Sequence, residues 1–256
     1  MHLKHHGVKG QKWGVRNGPP YPLDESRDTV IKKGTYFYRI SSIEKEGTQE
    51  RGYFSISEDD HNIYLLRSLS LLKKMKNDKY GYSIQYESKN SIRLPGKIKL
   101  RKIVGSVIKE SSDEDVYDAF YNFRQDKYDK NNRHHEDLVK SVRNLYDKKT
   151  PGKYDTAHIR MNQILNNPFK TSKVRDHIFL KLKEEGYGGF FDYFDKNQFS
   201  KLPIVLLDRS GLTQKSLTKV TEYKSEEIEK KVKDYLENSP NLKVTLAELL
   251  NPNLMK

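Results

Sequence analysis

The sequence predicts an α+β fold with a mainly antiparallel sheet, a helical insertion, an extended N-terminal arm and C-terminal helices. Short aromatic-rich segments early in the chain are typical of strands, and a middle region places apolar residues at helical spacing. A third observation is the apolar run over 203–207, which is typical of a buried strand. We divide the chain into an extended basic arm over 1–29, an α+β body over 30–212 and a helical segment over 213–256.

The composition predicts a folded body with very polar surfaces. Of the 256 residues, 34% are hydrophobic and 32% are charged, but 17 Tyr and 10 Phe can bury large areas. A chain of this length is long enough for one or two domains, each with a real core.

Residues 1–29 form the predicted arm. The segment Met1–Arg16 contains four Lys or Arg residues and three histidines but no acidic residue, and four glycines recur between positions 7 and 18. The segment Pro19–Pro22 follows. Because this density of glycine and proline opposes both helix and sheet, we expect an extended arm that becomes ordered only by docking on a partner.

The first part of the body is predicted to combine strands with one helix. The strands, rich in aromatic and β-favouring residues, are predicted over 35–40, 52–57, 80–86 and 98–103. Acidic residues at 58–60 suit the first turn of a helix, which the apolar spacing extends over 60–76.

A helical insertion is predicted next. The segment Ser111–Glu114 is typical of a helix start, and apolar residues then recur at helical spacing as far as Leu182. Prolines at positions 151 and 168 divide this region into several helices. The elements predicted after it are strands over 190–193 and 202–207 and helices over 225–237 and 242–250.

The chain has a formal net charge of +13, with 48 Lys and Arg against 35 Asp and Glu. Such an excess favours polyanionic neighbours, among them packaged DNA bound without sequence specificity. An ordinary lysine-rich solvated surface has the same composition, so both interpretations stay open. The interpretation of the chain as a plain DNA-binding protein would rest on this charge alone, because the sequence contains no recognised nucleic-acid module.

Several classes of site are excluded or disfavoured by residue type. The chain has no cysteine, which excludes disulfides and cysteine-based zinc sites. His5 and His6 are adjacent and have no acidic residue nearby, so we predict no metal site. No apolar run approaches the roughly 20 residues that span a bilayer, and the N-terminus lacks the apolar core of a signal peptide. We therefore expect a protein made in a cytoplasm, with no membrane partner.

The arm contains the most specific motif. The segment His5–Arg16 resembles, almost without interruption, a short motif of proteins encoded in tailed-phage and prophage structural modules of Firmicutes. The resemblance implies a virion-associated protein that docks on a virion or assembly protein through residues 1–18. It implies a location in the virion, and in the host cytoplasm during assembly or after ejection. The candidate docking residues are His6, Gly7, Gly10, Lys12, Trp13, Gly14 and Arg16.

These residue types suit a docking segment. Glycines let the backbone approach a surface closely, Trp13 supplies one large anchor, and the basic residues guide association. A solvated basic tail is the alternative interpretation of the same residues.

The body contains a second set of motifs in a characteristic order. Lys33–Arg39, Tyr53–Ser57, Gly186–Asp192 and Pro203–Asp208 together resemble ADP-ribosyltransferase-like domains of phage and toxin origin. The resemblance covers roughly residues 30–212. It implies a split, mainly antiparallel α+β fold and NAD as a substrate. In that family a strand arginine grips NAD, a Ser/Thr strand holds the nicotinamide side, and a glutamate supports the transition state.

The family's roles carry over to candidate residues of this chain. Arg39 matches the arginine, and Ser55 or Ser57 matches the Ser/Thr strand, so Arg39 and Ser55 are the candidate NAD-binding residues. No glutamate occupies the expected place, where 198–201 reads Gln-Phe-Ser-Lys, and Asp192 is the candidate substitute carboxylate. A salt-bridged strand arginine, polar strand serines and a strand-end aspartate are the alternatives.

Two functions therefore stay open at the level of sequence. The first is a virion-associated structural or accessory protein whose transferase-like body need not be active. The second is an ADP-ribosyltransferase effector that the phage packages or expresses to modify a host component. The missing glutamate favours the first, and the order of Arg39 and Ser55 supports the second.

Deletion of residues 1–18 is expected to abolish association with the virion, because the whole motif and its Trp13 anchor are lost. The measurement is the copy number of the protein in purified particles, determined by quantitative mass spectrometry. Trp13→Ala should reduce the copy number, whereas Tyr21→Ala, outside the motif, should leave it unchanged. An unchanged copy number after the deletion would contradict the docking hypothesis.

Overall fold

The computed structural model of the protein describes residues 27–42, 52–75, 81–121, 127–146, 172–192 and 199–251. The candidate docking residues of the arm lie outside these ranges. Within them the chain has the predicted α+β architecture, with seven helices and two antiparallel sheets that do not form a barrel.

The described strands belong to sheets of two and six strands. The strands are β1 (Thr29–Ile31), β2 (Tyr36–Ser41), β3 (Gly52–Ser55), β4 (Tyr82–Ser88), β5 (Ile92–Leu94), β6 (Gly189–Phe191), β7 (Pro203–Leu206) and β8 (Leu212–Lys219). The small sheet pairs β1 with β5, and the large sheet has the order β6-β7-β3-β2-β4-β8.

The described helices flank these sheets. They are α1 (Glu58–Met75), α2 (Lys97–Glu110), α3 (Asp113–Tyr121), α4 (Arg133–Tyr146), α5 (Lys173–Glu184), α6 (Ser225–Glu237) and α7 (Leu246–Leu250), with one turn of 3-10 helix over Val220–Glu222. Helices α2 to α5 follow β5 and precede β6, and α3 to α5 occupy the position of the predicted insertion.

The large sheet is narrowly joined at its centre. Strands β2 and β3 share one register pair, Tyr38 with Ser55, whereas β2 pairs with β4 along its whole length from Tyr36 to Ser41. The sheet is therefore close to two three-stranded halves, β6-β7-β3 and β2-β4-β8, that meet at one point.

Side chains alternate between the two faces of the large sheet. On one face, Phe37, Phe54 and Ile204 pack with Ile31 and Leu94 of the small sheet in one buried cluster. The opposite face is covered in two places. Helix α1 packs over β2 and β3, and the helical insertion packs against Phe190 and Val205, two side chains from β6 and β7.

Helix α1 begins at Glu58, two residues before the predicted start at 60, and its first turn contains the acidic residues that suit it. The Ser57 side chain accepts a hydrogen bond from the Asp60 amide at 3.4 Å, and acidic side chains occupy the first turn. Both features offset the free amides and partial positive charge of a helix N-terminus. The apolar stripe of α1, which includes Ile63, Leu66 and Leu69, is buried against α6, α7 and the 3-10 turn.

The buried Asp60 ties α1 to two other segments. Its carboxylate accepts hydrogen bonds from the Ser200 hydroxyl at 2.8 Å, the Lys201 amide at 3.0 Å and the Tyr235 hydroxyl of α6 at 2.8 Å. Burial raises the pKa of Asp60 above its ordinary value, although these hydrogen bonds favour the carboxylate. Because the partners lie on α6 and on the segment that leads into β7, the aspartate fixes both against α1.

The structure corrects two predictions of secondary structure. Residues 98–103 were predicted as a strand but belong to α2, whose buried residues Leu100, Ile103, Val104, Val107 and Ile108 follow helical spacing. A six-residue window is too short to show this period. Residues 213–219, predicted in a helical segment, instead lie in β8, which pairs with β4, before α6 and α7 begin.

No helix within the described ranges is both long and apolar enough to cross a membrane.

Gly189→Ala is expected to lower the free energy of unfolding by about 1–3 kcal/mol, as overpacking of a tight core does. A Cβ at Gly189 would lie 2.5 Å from the Val205 carbonyl oxygen, and backbone cannot move aside cheaply. Gly211→Ala is the matched control, because its Cβ would meet nothing within 4 Å. Urea unfolding of both variants checks the prediction, and equal effects would contradict it.

Candidate functional site

A cavity of about 480 Å³ lies beside the narrow join between β2 and β3. Its walls come from both halves of the large sheet and from the face of α1 that packs over them. The residues that line it are Tyr38, Arg39, Ile40, Tyr53, Phe54, Ser55, His61, Tyr64, Arg67, Ser68, Leu71, Asp192 and Pro203.

Four of these residues form one row across neighbouring strands. Tyr38 is the register partner of Ser55, Ser55 is the partner of Pro203, and the Asp192 amide donates to the Pro203 carbonyl at 2.9 Å. Because register partners share a face, Tyr38, Ser55 and Asp192 lie on the same side of the sheet. This is the side that α1 covers.

Asp192 is almost completely buried, with 1% of its surface exposed. The Tyr53 hydroxyl donates a hydrogen bond to its Oδ2 atom at 2.7 Å. Tyr53 lies two residues before Ser55 on the same strand face, so the hydroxyl and the carboxylate meet beside the serine. The structure thus places two of the predicted site residues, Ser55 and Asp192, together.

Arg39 reaches the cavity from the other side of the sheet. It alternates with Tyr38, and its guanidinium carbon lies 5.7 Å from the centre of the Phe54 ring. A Cβ at Gly52 would lie 2.5 Å from Arg39 Nη1, so the guanidinium lies directly over that glycine. Arg39 nevertheless lines the cavity with Ser55, because the strands that carry them pair at only one position.

Ser57 is separated from the other candidates. Strand alternation predicts Ser55 and Ser57 on one face, but β3 ends at Ser55 and the chain turns into α1. Ser57 is not among the residues that line the cavity, and its hydroxyl caps α1. The alternation fails here because a helix start replaces the strand within two residues.

His61 is a neutral residue of the cavity wall. Complete burial lowers its pKa from 6.5 to about 4. Its Nε2 atom lies 2.8 Å from the Ser83 hydroxyl, and its ring stacks on Tyr38 with centroids 5.4 Å apart. At neutral pH His61 therefore offers this site a hydrogen-bonding ring and no positive charge.

The α1 side of the cavity was not predicted. His61, Tyr64, Ser68 and Leu71 follow helical spacing, with Arg67 beside them, and together they form a mixed polar and aromatic face. The sequence contains this signal, since these positions recur at helical spacing on a face beside the apolar stripe of α1. Nothing in the sequence alone indicates that this face lies over β2 and β3.

The lining suits a ligand that combines planar rings with negative charge. Tyrosines and a phenylalanine offer stacking surfaces, and two arginines stand against the one carboxylate of Asp192. The volume lies within the range of about 300–1,000 Å³ that is typical of small-molecule sites. Among the described residues no group of three or more histidine, aspartate or glutamate side chains could hold a metal ion.

Comparison of the chain with family models, with curated proteins and with solved structures gave no match.

Acidification is expected to destabilise the protein through His61. Its folded pKa of about 4 lies below the ordinary value of 6.5, so the unfolded chain binds a proton more readily between these values. Stability is therefore lost as the pH falls from 6.5 towards 4, by about 2–3 kcal/mol for this group.

Urea unfolding at pH 7 and pH 4.5 measures this contribution. His61→Gln removes the titrating ring, so it should lose clearly less stability on acidification than the wild type. His134→Gln, at an exposed position of α4, is the control and should behave like the wild type. Equal losses in the wild type and His61→Gln would refute the assignment.

Proposed function

We propose that the protein is a virion-associated accessory protein of a tailed bacteriophage, docked through its arm, whose body binds NAD in the cavity. The arm hypothesis is supported by the resemblance of His5–Arg16 to a phage structural-module motif. The ligand hypothesis is supported by one observation. Arg39 and Ser55, on neighbouring strands, line the same cavity as Asp192, which is distant from both in sequence. The proposed locations of the protein are the virion and the host cytoplasm.

NAD matches the lining in charge and shape. Its pyrophosphate is anionic and suits a guanidinium, which donates two parallel hydrogen bonds. Its two planar rings suit the tyrosines that line the cavity. The net charge of +13 would also favour non-specific contact with packaged DNA, which we include as a proposed partner.

ADP-ribosyltransferase activity is the second candidate function, and the row that joins Ser55 to Asp192 favours it. In this reaction the bond between ribose C1′ and nicotinamide breaks, and its electron pair leaves with nicotinamide. The acceptor's nucleophile then bonds to C1′ and loses its proton. Positive charge develops on the ribose, so a nearby carboxylate stabilises the transition state. Asp192 is the carboxylate that lines the cavity.

Arg39→Ala is expected to weaken NAD binding about 10- to 100-fold, because a charge-assisted contact with phosphate is lost. Asp192→Asn should retain binding within about 3-fold and, under the second candidate function, abolish nicotinamide release. Binding is measured by calorimetry and release by chromatography, with host lysate as acceptor. Arg133→Ala and Asp137→Asn, at exposed positions of α4, are the matched controls.

The outcomes separate the two functions. Failure of the wild type to bind NAD would refute the proposed ligand. Binding of NAD without nicotinamide release would support an accessory protein with an inactive body. It would rule out the ADP-ribosyltransferase function. Release that depends on Arg39 and Asp192 would make the protein an effector enzyme.

A further inference from the structure

Arg67 of α1 is a cation in the cavity wall with no ionic partner among the described residues. It is half-buried and lines the cavity, yet none of the described carboxylates lies within ion-pair distance of it. Its Nε atom is buried and has no hydrogen-bond partner in the same part of the chain. A buried donor without a partner is costly, so its retention needs a reason.

Aromatic packing holds the Arg67 side chain in place. Its guanidinium carbon lies 4.9 Å from the centre of the Phe199 ring, and the Tyr64 ring lies 6.2 Å from that of Phe199. Such stacking fixes the plane of the guanidinium while leaving its charge uncompensated. Phe199 itself is positioned by the neighbouring Ser200, which hydrogen-bonds to the buried Asp60.

Two other arginines of the body, Arg93 and Arg143, have carbonyl or carboxylate partners. Arg93 pairs with Asp28 at 2.6 Å, and Arg143 pairs with Asp113 at 2.6 Å while donating to carbonyl groups at the end of α2. These contacts are structural and lie away from the cavity lining. Arg67 differs because stacking, and not an ion pair, orients its charge.

We infer that Arg67 is a second anion-binding residue of the cavity, beside Arg39, and that it takes a phosphate or pyrophosphate group of the ligand. A phosphate would compensate the arginine charge and accept its hydrogen bonds in the fork geometry of a guanidinium. The neighbouring His61 is neutral and does not compete for the anion. For NAD in particular the inference rests on the proposed function, but the contact of Arg67 with an anion is tested with pyrophosphate alone.

The experiment is calorimetric titration of the full-length protein with inorganic pyrophosphate, ADP-ribose and adenosine. Arg67→Met removes the charge but keeps a long side chain to pack on Phe199. Arg67→Lys keeps the charge but loses the paired hydrogen-bond donors of the guanidinium. Arg133→Met, at an exposed position of α4, removes the same charge elsewhere and controls for the basic surface. All four proteins are titrated at the same ionic strength.

Arg67→Met should weaken pyrophosphate and ADP-ribose binding at least 10-fold, and Arg67→Lys should be intermediate. Adenosine, which has no phosphate, should bind the wild type and Arg67→Met alike. Arg133→Met should match the wild type for all ligands. The melting temperature of Arg67→Met should equal or exceed that of the wild type, because a buried donor without a partner is removed. This readout shows that the variant is folded.

Two results overturn the inference, namely no pyrophosphate binding by the wild type or equal binding by Arg67→Met. NAD binding that requires Arg39 but not Arg67 would leave the proposed function standing and refute the anion site. Pyrophosphate binding that requires Arg67, without any NAD binding, would support the anion site and refute NAD as the ligand.

Discussion

The buried carboxylate of Asp60 is the contact on which the candidate site depends. It receives hydrogen bonds from the segment that leads into β7 and from Tyr235 of α6, so it joins α1 to both. An unpaired charge at this depth would be strongly unfavourable, and several donors converge on it for that reason. The arrangement places Phe199 beneath Arg67 and holds α1 over the join of the large sheet.

The narrow join between β2 and β3 then makes room for a cavity. Continuous hydrogen bonding between β2 and β3 would leave no gap between the two strands. Because they share only the register pair of Tyr38 and Ser55, side chains from both faces of the sheet reach the same cavity. Arg39 enters from one face and Asp192 from the other. The polar residues of the site consequently come from rigid strands and a helix, which is how binding sites are held in a fixed geometry.

The distribution of charge around this cavity bears on its chemistry. Two arginines and one buried aspartate line it, and the histidine beside them is neutral at physiological pH. This balance favours an anionic ligand. Asp192 already accepts a hydrogen bond from the Tyr53 hydroxyl. In an active enzyme this bond would orient the carboxylate for catalysis, and in an inactive scaffold it would supply the hydrogen-bond donor that a buried carboxylate needs. The protein chemistry of the site is compatible with either use, because a fold does not dictate a function.

The sequence by itself determined the α+β class, the strands and helices with strong local patterns, and the candidates Arg39, Ser55 and Asp192. Local signals suffice for the class and the elements, since aromatic strand segments, caps and helical spacing involve neighbouring residues. The three candidate residues followed instead from the resemblance of the ordered motifs to a known family. Only the tertiary structure decided that 98–103 is helical, that Ser57 is a cap and that α1 supplies Arg67. Those outcomes depend on which faces meet across long sequence separations, and that information is absent from any short window of residues.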